Sequence, residues 1–221
     1  MLKKIVIIGP ESTGKSTLSR QLAAHYNTRW CPEYAREFLL KNGTDYSFDD
    51  LLVIAKGQLS LEEEYIKSLI NGSWPLENTK QLGQTGPLKH TNKIVTDDTT
   101  PAFTNDQRST ANYLFIDTDQ YVMKVWCEYV FNQCHTWILN RIVERPCDLY
   151  LLCNIDLPWV KDELREYPDE LPRQHLYHMY KDLLTHQQVP WVDISGDYNE
   201  RLKKAKQDID HRFGYNNKTL Y

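Results

Sequence analysis

Gly9-Pro10-Glu11-Ser12-Thr13-Gly14-Lys15-Ser16 satisfies the pattern Gly-x-x-x-x-Gly-Lys-Ser/Thr at every fixed position, and its flanks constrain the fold more than any other feature. Before it, Lys3 to Ile8 is a short β-branched run, the pattern of a strand covered on both faces of a parallel sheet. After it, Leu18, Leu22, Ala23 and Tyr26 recur at helical spacing, so residues 15–26 read as an amphipathic helix. Strand, glycine-bearing turn and helix in that order build a phosphate cradle. The glycines let the backbone curl until successive N–H groups point inward, and the helix N-terminus adds its dipole. Lys15 would reach the β- and γ-phosphates, and the Ser16 hydroxyl would ligate Mg²⁺. Gly9, Glu11, Ser12, Thr13, Gly14, Lys15, Ser16 and Thr17 are therefore candidate cofactor-binding residues, with ATP and Mg²⁺ the expected ligands.

The rest of the chain repeats the alternation. Strands are expected at Thr28 to Cys31, Tyr113 to Ile116, Leu149 to Leu152 and Trp191 to Ile194. Helices are expected over 48–70, from about 120 to 143, over 173–186, and through Leu202, Ala205, Ile209 and Phe213. Strands alternating with helices predict one α/β domain over 1–221, a P-loop NTPase with a doubly wound parallel sheet, built like a small-molecule kinase. Residues 71–112 break the pattern. Gly, Pro, Thr, Asn and Gln dominate there, so the segment reads as a long insertion, lid or mobile loop.

Composition excludes several classes. Lys plus Arg number 26 against 30 Asp plus Glu, a formal charge of −4, which disfavours a nucleic-acid coat. No run approaches the length of a membrane span, and Ile5 to Ile8 is too short for a signal-peptide core, so a soluble, cytoplasmic protein is expected. The five cysteines form no Cys-x-x-Cys pair, and His175 and His178 have no nearby partners to complete a zinc set.

A phosphate loop serves many reactions. A GTPase would show Asn-Lys-x-Asp, whereas Asn92-Lys93-Ile94-Val95 lacks the Asp. Ring-forming ATPases need a longer chain, so a compact kinase leads. Ligands of doubly wound sheets sit beyond the carboxyl ends of the strands, which places Glu33 beside the loop as a candidate base or orienting group. Glu33 and Arg36 are also candidate substrate contacts, although at i, i+3 they equally suit a helix-surface ion pair. Asp117 closes the 113–116 strand and is the candidate Mg²⁺ ligand, favoured over Asp97 or Asp98, whose strand is weaker, and it shares with Glu33 the candidacy for activating the acceptor hydroxyl. Asp119, two residues on, is a candidate substrate contact. Arg165 and Arg173 bracket a proline-bearing loop and could close over the transferring phosphoryl group. Trp30 and Tyr34 flank Glu33 and could stack on a flat or cationic ring, although Trp30 suits core packing as well.

Gly9 to Thr17, Pro32-Glu33-Tyr34-Ala35-Arg36-Glu37, Phe115-Ile116-Asp117-Thr118-Asp119 and Trp159-Val160-x-Asp162-x-Leu164-Arg165 together resemble the ribosylnicotinamide kinase domain of the NadR family, over residues 1–70 and 113–213. The resemblance implies transfer of a phosphoryl group from ATP to the 5′-hydroxyl of nicotinamide riboside, giving nicotinamide mononucleotide. It also implies an adenine-contacting loop near Ser195-Gly196-Asp197-Tyr198. Full-length members carry a helix-turn-helix segment and a His-x-Gly-His nucleotidylyltransferase domain; these 221 residues hold no such motif, so the expectation covers the kinase alone, with no DNA-binding segment. Another nucleoside kinase, or an ATP-sensing interaction module that transfers nothing, remain the alternatives.

Overall fold

The computed structural model describes residues 1–72, 113–164 and 169–214. Five strands, β1 (Lys3–Ile8), β2 (Arg29–Cys31), β3 (Tyr113–Asp117), β4 (Leu149–Cys153) and β5 (Trp191–Ile194), form one parallel sheet in the order β2-β3-β1-β4-β5. The chain winds to one side of β1 and then to the other, so a crevice opens at the carboxyl end of β1. No strand separates β1 from β3; Ile7 lies in register with Asp117.

Alternation of side chains along each strand divides the core. Ile5, Ile7, Phe115 and Leu151 face α1 (Lys15–His25) and α7 (Tyr198–Phe213). Val6, Ile8, Ile116 and Leu152 face α3 (Phe48–Asn71), α4 (Gln120–Phe131) and α6 (Glu170–Thr185). The strands read as continuous apolar runs because both faces are covered. A third cluster joins α2 (Tyr34–Asn42), α3, α4 and α5 (Thr136–Glu144) beside the sheet.

Apart from one-residue shifts at strand and helix ends, three elements differ from the sequence expectation. The helix expected to run to about 143 divides into α4 and α5, because Asn132 takes the left-handed conformation (φ 54°) and caps α4. The short helix α2, entertained in the sequence only through the i, i+3 spacing of Glu33 and Arg36, begins directly after Glu33. The helix expected from Arg173 begins at Glu170 and takes Pro172 into its first turn, where proline's missing N–H costs nothing. Residues 73–112, which hold nearly all of the expected insertion together with Asp97 and Asp98, lie outside the described residues, as does Arg165.

Candidate functional site

The cradle is built as its sequence predicts. Gly9 adopts φ 141°, and a side chain there would meet the Cys153 carbonyl oxygen at 2.7 Å, so only glycine fits. Gly14, left-handed at φ 79°, turns the chain into α1 and supplies no side-chain cap. The first N–H groups of α1 therefore face the loop without an intrahelical partner. Lys15 Nζ reaches back across the loop and donates to the Pro10 carbonyl at 2.9 Å, and the Thr13 hydroxyl donates to the same oxygen at 2.7 Å.

Strand register delivers the carboxylates. Cys31 pairs with Ile116, so the chain leaving β2 and the end of β3 emerge at the same edge of the crevice. Asp117 is buried, and neither of its carboxylate oxygens has a hydrogen-bond partner. Burial first, and the charge of Glu33 second, push its carboxyl up to about 6, while Lys15, the Ser16 hydroxyl and Arg20 pull it down. A buried carboxylate with two orphaned oxygens beside a serine hydroxyl suits a hard divalent cation that takes its remaining ligands from phosphates and water. Among the described residues no cluster of three His, Cys, Asp or Glu exists to hold a metal without such help. The next residue, Thr118, carries φ 78°. That conformation is costly for a β-branched side chain, by about 1–3 kcal/mol, and such strain gathers at functional sites.

Glu33 is the N-cap residue of α2, and its backbone is clamped from α3. Buried Gln58 accepts from the Tyr34 N–H at 2.7 Å and donates to the Pro32 carbonyl at 3.2 Å, holding the peptide groups on both sides of Glu33. Gly57 leaves room for the Tyr34 ring, which would lie 2.2 Å from a side chain at that position. Gly57→Ala should therefore destabilise the fold by about 1–3 kcal/mol through overpacking. An unchanged urea midpoint would show that the ring moves aside freely.

One cavity of about 500 Å³ collects most of the candidates. It is lined by the loop from Gly9 to Thr17, Arg20, Trp30, Glu33, Arg36, Asp117 and Tyr198. Trp126 and Tyr129 of α4 and Tyr180 of α6 complete an aromatic wall that sequence reasoning missed. The signal was present: Val122, Val125, Trp126 and Tyr129 follow i, i+3, i+4, i+7 spacing, a stripe that reads as core until its neighbours are known. The segment after β4 lies over the loop. The Val160 N–H donates to Ser12 Oγ at 2.9 Å, and Asp162 takes both amino groups of Arg36, at 3.2 and 3.1 Å. Arg36 thus pairs with Asp162, not with Glu33.

Four candidates are not brought to this cavity. Tyr34 packs on Gly57, with α3 claiming its ring. Asp119 caps α4 through the Tyr121 N–H (2.9 Å) and accepts from Tyr150 Oη (2.8 Å). It lines a separate space of about 20 Å³ with Lys4, Glu62 and Arg145. Burial also pushes its carboxyl up to about 6, against those two hydrogen bonds. Arg173 is buried within α6, where it donates to the Leu157 carbonyl at 3.3 Å, because the helix begins three residues earlier than its pattern suggested. Gly196 binds Asp156 through its N–H and does not line the cavity; its neighbour Tyr198 does.

Comparison with known proteins bears on the fold. The model of a family described as AAA domain matches residues 4–201, which names a domain and not a ring assembly. The chain is 24% identical over 218 residues to the trifunctional NAD biosynthesis/regulator protein NadR of Escherichia coli (strain K12), covering 96% of this chain and 43% of that protein. The Salmonella typhimurium protein of the same name matches to the same extent. The chain thus spans less than half the length of these relatives. Among solved structures, a crystal structure of NadR protein in complex with NR superposes with a TM-score of 0.67 at 20% identity, over 97% of this chain and 50% of that one. A second, in complex with NAD and AMP-PNP, gives 0.65 at 19% identity, over 100% of this chain and 52% of that one. These superpositions establish the P-loop α/β fold.

Proposed function

The chain belongs to the AAA domain family, and from that premise we propose that it is an ATP-dependent kinase that phosphorylates the 5′-hydroxyl of nicotinamide riboside. The observation that carries this reading is the shared cavity: a phosphate loop, two carboxylates and a wall of Trp30, Trp126, Tyr129 and Tyr180 line one space. A triphosphate needs only the loop. The aromatic faces supply what a flat, cationic pyridine ring would seek. The NadR proteins similar to this chain bind NR and AMP-PNP in their solved structures, which supports the same pair of ligand classes here.

In this reading the loop N–H groups and Lys15 hold the β- and γ-phosphates. Asp117 and Ser16 would hold Mg²⁺, which would supply charge neutralisation at the phosphates. Glu33 accepts the proton of the acceptor hydroxyl as its oxygen bonds to the γ-phosphorus and the bond to the bridging oxygen breaks, releasing ADP. Glu33 takes this role because Asp117 is buried with no hydrogen-bond partner and suits the metal. No described helix is long and apolar enough to cross a membrane, and both substrates are small and water-soluble.

Mass spectrometry of nicotinamide riboside incubated with protein, ATP and Mg²⁺ should show one added phosphoryl group. Glu33→Gln should lower kcat by about a hundredfold or more while leaving both KM values near those of the parent. Transfer to common nucleosides only would move the substrate assignment. ATP binding with no phosphorylated product from any nucleoside would favour a sensing module and end the kinase reading.

A further inference from the structure

Arg201 is the largest fully buried side chain among the described residues, 2% exposed, and it lies on the last helix, far in sequence from the phosphate loop. A buried guanidinium must find acceptors or destabilise the fold severely. Arg201 finds four. Its Nη1 donates to the Thr13 carbonyl at 2.8 Å, its Nη2 to the Asn154 carbonyl at 2.9 Å and to the Asp156 carboxylate, and its Nε to the Gly196 carbonyl at 2.7 Å. The other Asp156 oxygen accepts from the Gly196 N–H. Every one of these acceptors belongs to a loop at the carboxyl edge of the sheet: the cradle, the turn after β4 and the turn after β5.

The contact with Thr13 has a directional consequence. In a planar trans peptide the C=O and the following N–H point in opposite directions. Holding the Thr13 oxygen toward Arg201, behind the loop, turns the Gly14 N–H toward the opposite side, where the cavity lies. A lysine could occupy the space but lacks the rigid fork that reaches several acceptors in one plane.

We propose that Arg201 is a positioning residue for the phosphate donor: it sets the direction of the Gly14 N–H and ties the cradle to the turn after β5. The proposal rests on the loop being a nucleotide phosphate cradle. Arg201 touches no reacting atom, so its effect falls on the donor alone. The acceptor side of the cavity, held by Gln58 and α4, is independent of it.

The test measures ADP binding calorimetrically with Mg²⁺, together with KM for ATP and for nicotinamide riboside, in the full chain and in Arg201→Lys. Losing about one charge-assisted hydrogen bond should raise the ADP dissociation constant and the ATP KM about tenfold. The acceptor KM should stay unchanged, and the Gly14 amide should exchange faster with deuterium. Nucleotide affinity equal to the parent's in folded Arg201→Lys would overturn the proposal. So would equal losses for both substrates, which mark a merely structural residue. Should Arg201→Lys fail to fold, Asp156→Asn keeps the acceptor for the Gly196 N–H while weakening the guanidinium's anchor. It should raise the ADP dissociation constant severalfold, and parent-like affinity there overturns the proposal equally. A parent protein that binds no ADP contradicts the cradle reading itself, a result distinct from either variant outcome.

Discussion

Lys15→Ala should lower phosphoryl transfer by about a thousandfold, with most of the loss in kcat. The ammonium is the one side-chain cation placed within the loop itself, where it donates to the Pro10 carbonyl at 2.9 Å. A triphosphate would replace that carbonyl as its partner. As the γ-phosphoryl group leaves, charge builds on the β–γ bridging region, and a fixed cation in a water-poor cleft then counts for more than it does in the ground state. Lys15→Arg should not rescue the activity, because a planar guanidinium is too large for a cradle that curls around a compact ammonium. Lys15 also holds down the pKa of Asp117. The alanine variant should therefore move the acidic limb of the pH–rate profile upward. Undiminished transfer by Lys15→Ala would show that the loop is not the phosphate site.

Asp117→Asn should separate stability from activity. Asp117 is 1% exposed and its oxygens are unpartnered, so ionising it in the folded protein is costly. Its pKa rises from an ordinary 3.8 to about 6 on folding. A raised carboxyl binds its proton more tightly when folded, so the destabilisation is absent below about pH 4. It grows between about 4 and 6 and is full above 6. At pH 7.5, without nucleotide or Mg²⁺, Asp117→Asn should melt above the parent, and the gap should close at pH 4. The same substitution should abolish Mg²⁺-dependent turnover and remove the thermal stabilisation that ATP with Mg²⁺ gives the parent. A variant that melts no higher than the parent at neutral pH would show that the carboxylate is satisfied when folded. Such opposed effects characterise a residue kept for chemistry at the expense of stability.

The strand–loop–helix unit was legible because its three parts are contiguous in sequence. Strand, turn and helix occupy residues 3–25 without a break, and Gly9 and Gly14 take positive φ within them, although the carbonyl that crowds Gly9 comes from Cys153 on β4. Asp117 was legible for a similar reason, since an apolar strand that ends in a carboxylate places it at the carboxyl edge of the sheet whatever surrounds it. The strand positions followed from β-branched runs, and the parallel order from their alternation with helices.

Which way a side chain points depends on packing between distant elements. Asp119 and Asp117 lie two residues apart, yet Tyr150 from β4 draws one into a cap while the other stays unpartnered. Trp30 and Tyr34 flank the same glutamate, but Gly57, on a helix that begins fourteen residues after Tyr34, takes the second ring away from the cavity. Arg201 shares a helix face with Ala205 and Ile209, a register that marks it as buried without naming its partners. The linear chain carried the strand–loop–helix motif because those residues follow one another without a break. The aromatic wall arises only where β2, α4 and α6 converge, and the Arg201 contacts only where α7 meets the loops after β1, β4 and β5, at contacts of long sequence separation that no local pattern encodes.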